Sequence, residues 1–489
     1  MKSFKLICFL TIAIGIAAGC QKPERTVDET AQAPVLVSSD PADGTVGLSG
    51  ESLALKLTFD VNVKCASPSS ITAGEARIDK VVAYGKDVTI SLSSLEPGLT
   101  YTVSVPAGTI SGFSNNPAPE ININFTMKEK DPEPVHSILD PVTELCNPSP
   151  SAQAVKVYDF LLQQSGKKTL SGAMSGSSNS NDFADLVSSR TGKYPAITGY
   201  DFIFLQYSPT PASWSWKVDY NDISAAEEQW KNRGLVSYMW HWNVPTNETA
   251  WKNGIENGDY NGYAFYSDKT AFDIREALKE GTWQNDFLMK DIEEAAGYLQ
   301  NLRDAGIPVI WRPLHEAAGN YDLYGGNGAW FWWGKGGAEA CKQLWRLLYD
   351  QFTNVYGLNN LIWVWTVDAV PGCEDQYNDW YPGNDVVDIV GVDIYENNTD
   401  AKTRQYQALV DVTGGKKLVT VSECGNIPDP EKCFAEGNAW SWFMVWCTYD
   451  GDGNLALNNN DWKLNTENWW KTVMSGSKVL NRENMPDLK

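Results

Sequence analysis

The sequence predicts an α/β protein, a (β/α)8 TIM barrel preceded by a small all-β sandwich. Three observations lead there. Residues 34–128 carry short apolar runs of period two, separated by Gly, Pro, Asn and Ser. From about Val135, apolar runs of β type alternate with helical patterns, and eight such runs follow. All 21 Trp lie between Trp214 and Trp470, so the two halves of the chain differ in composition. Concentrated in one half, the tryptophans read as a functional surface more than as general core.

Residues 1–20 read as a lipoprotein signal peptide. Lys2 and Lys5 form the charged start, and Leu6 to Ile16 is an apolar run too short to span a bilayer. The run ends in Ala17-Ala18-Gly19-Cys20, which resembles the bacterial lipoprotein processing box with Cys20 as the acylated residue. Acyl chains would then hold the protein to a membrane leaflet. Residues 21–33 are polar and aperiodic, as a tether is. Gln21-Lys22 followed by Glu24 favours the outer membrane. The expected location is extracytoplasmic, with the membrane reached only through the lipid.

Within 34–128 the runs Leu53–Phe59, Val88–Leu92, Tyr101–Val105 and Ile121–Phe125 alternate in polarity, as half-buried antiparallel strands do. The stretch Ser39-Asp-Pro-Ala-Asp-Gly-Thr45 resembles the opening of bacterial immunoglobulin-like modules. Such a module would space the next domain from the membrane. With no Trp, it is poorly supplied for holding a sugar. Residues 129–149 follow as a linker, which the charged, Pro-containing segment Lys128–Pro134 introduces.

The barrel is expected over residues 150–485. Its eight runs are Lys168–Met174, Ala196–Asp201, Leu235–Trp240, Val309–Pro313, Leu361–Trp365, Val387–Asp393, Leu418–Ser422 and Trp442–Trp446. Helical patterns fall between them. Lys290 to Ala305 places Ile292, Ala295, Leu299 and Leu302 on one face, with Gly306 as the stop. Ala338 to Tyr356 turns Leu344, Leu347, Leu348, Phe352 and Val355 inward and is closed by Gly357.

Active sites of such barrels lie at the C-terminal strand ends. Those ends carry Asp201, His241, Arg312-Pro-Leu-His315-Glu316, Thr366, Asp368, Asp393-Ile-Tyr395, Glu423 and Trp446. Glu316 and Glu423 end the fourth and seventh runs, across the barrel mouth. A retaining glycosidase needs a carboxylic acid to protonate the leaving oxygen and a second carboxylate about 5 Å away to attack the anomeric carbon. Tyr395 is placed to orient an ionised Glu423. Taken alone, each carboxylate reads equally well as a strand-end cap. A Trp ring such as Trp330 or Trp446 packs on the C–H face of a pyranose.

Other classes are disfavoured. With 61 acidic against 39 basic residues the net charge is −22, which opposes nucleic acid and repels anionic substrates. Three His, no His-x-x-x-His and no C-x-x-C argue against a metal site, and no cofactor motif is present. Setting aside Cys8 and Cys20 leaves an odd seven Cys, among which a Cys424–Cys433 disulfide is compatible with the spacing.

Trp311-Arg-Pro-Leu-His-Glu-Ala317, Trp330-Phe-Trp-Trp-Gly334, Asp393-x-Tyr395 and Val421-Ser-Glu423 together resemble glycoside hydrolase family 26, the β-mannanase family, over about 150–475. The resemblance implies a retaining endo-β-1,4-mannanase acting as a monomer on mannan, glucomannan or galactomannan, without metal or cofactor. It gives Glu316 the acid/base role and Glu423 the nucleophile role, with Tyr395 hydrogen-bonded to the nucleophile. His241, Arg312, His315, Asp393, Trp330 and Trp446 would line the subsites. The alternatives are the same fold acting on β-1,3-xylan or mixed-linkage β-glucan, and a non-catalytic surface glycan-binding protein. One departure stands out. Many members place the Trp only a few residues after the acid/base Glu, whereas here Ala317 to Ala329 intervenes.

Overall fold

Strand alternation in the amino-terminal unit follows from its sequence: Ile121–Met127 buries every second residue, and Ser52–Phe59 does so along its second half. The computed structural model describes residues 33–129, 136–205, 218–319, 329–370 and 374–489. The signal segment, Cys20 and residues 21–32 of the tether lie outside them. The chain divides into two units, Met1–Pro134 and Val135–Lys489.

In the first unit one sheet has the order 36–40, 52–59, 87–93, 77–84, and a second has 45–48, 121–127, 100–105. The facing apolar residues, among them Leu55, Leu57, Ile90, Val103 and Phe125, form a separate core. Thr45–Leu48 runs parallel to Ile121–Met127, so the sandwich is not wholly antiparallel. Thr45–Leu48 is short and polar-flanked, which hid it from a periodicity search.

In the second unit, β1 (Thr169–Met174), β2 (Ile197–Asp201), β3 (Leu235–Met239), β4 (Val309–Arg312), β5 (Leu361–Asp368), β6 (Ile389–Ile394), β7 (Leu418–Cys424) and β8 (Trp442–Val445) close a parallel barrel. β1 pairs with both β8 and β2, and Val479–Leu480 adds to the beginning of β1. Every barrel strand is buried along its whole length, because side chains fill the interior and helices cover the outside. Helix Trp283–Asp304 presents Ile292, Ala295, Leu299 and Leu302 to the barrel, on the side expected.

Some expectations are corrected. Helix Ala338–Asp350 widens into a π turn over Gln351–Val355, which rotates Val355 out to 61% exposure. Most described tryptophans are core: Trp240, Trp242, Trp311, Trp332, Trp333, Trp345, Trp363 and Trp470 are fully buried. Their bulk fills the space between strands and helices, so the tryptophan excess is mainly packing. Cys424 and Cys433 are both free, as are the other described cysteines. The Cys433 thiol faces the Ala401 carbonyl instead.

Residues 136–149, read as linker, are bound to the barrel unit. His136 Nδ1 meets Asp411 at 2.7 Å, and the Asp140 and Val142 amides donate to the Gly415 and Lys416 carbonyls. The Cys146 amide donates to Asp388 Oδ1 at 2.6 Å, while Trp363 N–H in β5 donates to Asp388 Oδ2 at 2.8 Å. Asp388 is fully buried, so its carboxylate is the acceptor for both amides. Asp388→Ala is expected to lower barrel stability by about 2–4 kcal/mol, since two buried N–H groups lose their partner. Tryptophan fluorescence during urea unfolding checks this and reports the barrel alone, as all 21 Trp lie within it. An unchanged midpoint would dismiss the clamp.

Candidate active site

A buried cation organises the barrel mouth. Arg312, the last residue of β4, is 4% exposed. Its Nη1 donates to Asp393 Oδ2 at 3.0 Å, and its Nη2 donates to Glu423 Oε1. Burial alone would weaken the guanidinium's hold on its proton, but Asp393 and Glu423 more than offset this and push its pKa up. Tyr395 O–H donates to the other Glu423 oxygen, Oε2, at 2.5 Å. Both Glu423 oxygens therefore accept, one from a guanidinium and one from a hydroxyl, so the carboxylate is fixed in orientation.

A strand irregularity puts Glu423 there. In the β6–β7 ladder Val392 faces Val421, yet Asp393 faces Glu423, so Ser422 is an extra residue. Such bulges re-aim the following side chain. Gly391 makes room for the bulge: a Cβ there would stand 1.9 Å from Ser422 Oγ. The bulge brings Asp393 and Glu423 onto the same arginine.

Glu316 reaches the mouth through a turn after β4. Leu314 and Glu316 have φ of 52° and 53°, a left-handed backbone that residues with a Cβ seldom adopt. The Glu316 amide donates to the Thr366 carbonyl of β5 at 3.1 Å. Carboxyl oxygens of Glu316, Asp393 and Glu423 lie within 4.8 Å of one another. That spacing would suit a cation, and Arg312 already bridges two of the three. Desolvation pushes the Glu316 carboxyl well up, and the neighbouring Asp393, Glu423 and Asp368 carboxylates add to this against the pull of Arg312. The same desolvation lifts Asp393, with Arg312 opposing it, and lifts Asp368 to about 6.

The histidines and tryptophans complete the rim. His241 is held by Asp201, its Nδ1 lying 2.6 Å from Oδ2 and its amide donating to Oδ1 at 3.0 Å. The His241 ring packs edge-on against His315 and Trp446, with centroids 4.6 and 5.8 Å away. Burial first, then His241 and Arg312, push the His315 pKa well down, so its imidazole is neutral. Trp446, just past β8, is partly buried and lines an adjacent cavity of about 580 Å³ with Asp201, His241, Phe265, Tyr266 and Tyr449. Trp330 is likewise partly buried. Its amide donates to the Gly319 carbonyl at 3.3 Å and its indole covers Gly319, where a Cβ would stand 2.3 Å from the ring. The insertion thus begins and ends at the same place, although residues 320–328 lie outside those described.

All nine expected residues are therefore in one region: Glu316, Glu423, Arg312, Asp393 and Tyr395 at its centre, and His241, His315, Trp330 and Trp446 around it. Sequence reasoning assigned no role to Asp201, which orients His241, or to Asp368. Asp201 ends the second run, and its position at a strand end was the available signal. Phe265, Tyr266 and Tyr449 lie outside the barrel strands, where periodicity carries no information.

Comparison with known proteins identifies the family of the fold. The model of glycosyl hydrolase family 26 matches residues 146–475, and that of a bacterial Ig-like domain matches residues 30–127. A mannan endo-1,4-β-mannosidase of Thermothelomyces thermophilus is 34% identical, covering 90% of this chain and 83% of its own. Among solved structures, the GH26 domain of an endo-β-mannanase/endo-β-glucanase from Prevotella bryantii is 36% identical with a TM-score of 0.60, over 70% of this chain and 99% of that one. A β-mannanase from a symbiotic protist of the termite Reticulitermes speratus, solved with a gluco-manno-oligosaccharide, is 34% identical with a TM-score of 0.57, over 71% of this chain and 98% of that one. With a matched barrel, a matched amino-terminal module and a carboxylate pair across the mouth, the chain belongs to glycosyl hydrolase family 26.

Proposed function

We propose that the protein is a retaining endo-β-1,4-mannanase acting on mannan, glucomannan or galactomannan. The observation that carries this reading is the approach of Glu316 and Glu423 to within 4.8 Å. That is close to the roughly 5–5.5 Å of double displacement and shorter than the roughly 6.5–9.5 Å between the carboxyls of inverting enzymes, which supports retention. Similarity to mannan endo-1,4-β-mannosidases supports the substrate and the endo action.

The two carboxyls have different partners, and so different roles. Glu423, bonded to Arg312 and Tyr395, is the ionised nucleophile that attacks the anomeric carbon. Glu316, kept protonated by desolvation and its acidic neighbours, donates its proton to the leaving glycosidic oxygen. Once the glycosyl–enzyme ester forms, Glu423 loses its negative charge and the pKa of Glu316 falls. Glu316 can then take a proton from water as the water attacks. His241, fixed by Asp201, and the ring of Trp446 line the cavity that would hold the sugar, and Trp330 stands at the rim beside the turn of Glu316.

Cys20, after the charged start and apolar run, is the lipid-bearing residue that anchors the enzyme outside the cytoplasm, at the outer membrane.

Glu316→Ala is expected to lower kcat/KM on galactomannan by about 10²–10⁴-fold, and Glu423→Ala to abolish hydrolysis. Proton NMR of the first product from mannohexaose should show the β-anomer; initial α-anomer would refute retention. Because the acid must be protonated, kcat/KM falls as pH rises through the Glu316 pKa. That alkaline limb is expected above the ordinary carboxylate range, and a limb within that range contradicts the role of Glu316. Cys20→Ser is expected to stop incorporation of labelled palmitate and release the protein from the membrane fraction; continued labelling would rule out this anchor.

A further inference from the structure

The turn that carries Glu316 is held from outside by the segment 331–335. Trp333 Nε1 donates to the His315 carbonyl at 2.8 Å, between the two left-handed residues Leu314 and Glu316. Trp333 is fully buried. Its ring stacks on Phe331, with centroids 4.4 Å apart and planes at 23°, and Phe331 in turn packs against His315 at 5.0 Å. The next residue, Gly334, lies under the same turn. A Cβ there would stand 1.9 Å from the Ala317 carbonyl oxygen, so only glycine lets the two backbones meet.

The segment is itself anchored. Trp332 Nε1 donates to the Trp242 carbonyl at 2.6 Å, and its amide donates to the Phe265 carbonyl at 3.1 Å. Lys335 Nζ donates to the Ser267 and Thr270 carbonyls, both at 3.0 Å. On its far side the turn is tied to β5 through the Glu316 amide. A left-handed backbone at two residues with side chains persists only when its surroundings fix it.

We propose that Trp333 is a positioning residue for Glu316. Its indole N–H, together with the Cβ-free backbone of Gly334, holds the 314–317 turn in the form that aims the Glu316 carboxyl at the glycosidic oxygen. The proposal rests on Glu316 being the general acid.

The test uses the leaving group. Breaking a bond to a sugar oxygen needs the acid, whereas departure of dinitrophenolate does not. The parameter kcat/KM reports steps up to the glycosyl–enzyme, so it isolates that proton transfer. Trp333→Phe keeps an aromatic ring, though a smaller one, and removes the N–H. It is expected to lower kcat/KM on mannotetraose by about tenfold, a part of the 10²–10⁴ that a general acid supplies. On dinitrophenyl β-mannobioside the change should stay within about twofold, because that reaction needs no general acid. Gly334→Ala, which displaces the turn by another route, is expected to give the same split. Glu316→Gln is the reference and should show a larger split. Equal losses on both substrates, or no loss on mannotetraose, in a Trp333→Phe protein with an unchanged Tm would overturn the positioning role. A Glu316→Gln protein without any split would instead overturn the assignment of the acid, and the positioning role with it.

Discussion

Three carboxyls crowd one end of a barrel whose strands are apolar almost throughout, and the single guanidinium of Arg312 makes that crowding tolerable. Charges taken from water need partners of opposite sign with good hydrogen-bond geometry. Arg312 supplies both for Asp393 and Glu423, and none for Glu316. This asymmetry divides the labour. The two carboxyls on the arginine have an opposite charge beside them, and the one off it is left with desolvation and the field of its neighbours, which push its pKa well up. Substituting Lys would break the division, since one ammonium lacks the planar fork that serves two carboxylates at once.

The barrel contributes by register more than by shape. Parallel strands bring Arg312, Asp393 and Glu423 to neighbouring ends, but a regular ladder would place Ser422 opposite Asp393. One extra residue corrects this. The second departure from regularity is the left-handed turn at Leu314 and Glu316. Both irregularities lie at the clustered carboxyls, and each has a glycine beside it, Gly391 or Gly334, that vacates the necessary space.

Much of this was legible in the sequence. β-Branched runs such as Leu418-Val-Thr-Val marked the strands, and reading off the residue after each run gathered the rim side chains. What stayed hidden has physical causes. A bulge leaves no trace in hydrophobic periodicity, because Ser422 and Glu423 read as an ordinary strand end. Left-handed backbone is signalled by Gly or Asn, and Leu314 and Glu316 are neither. Tryptophan is equally apt for a sugar platform and for a wide gap between strand and helix, so its abundance misled; Trp330 and Trp446 differ from the packed ones in being only partly buried. Cysteine spacing likewise said nothing of direction, and the Cys433 thiol points to a carbonyl.

The meeting of Gly319 with Trp330 has an evolutionary corollary. Whatever lies between two residues that already touch can be lengthened or trimmed at a small closure cost, since each doubling of a flexible loop adds only about 0.6 kcal/mol. The rim beside Glu316 is thus a modular port, where a segment can be grafted while the turn that carries Glu316 keeps its place.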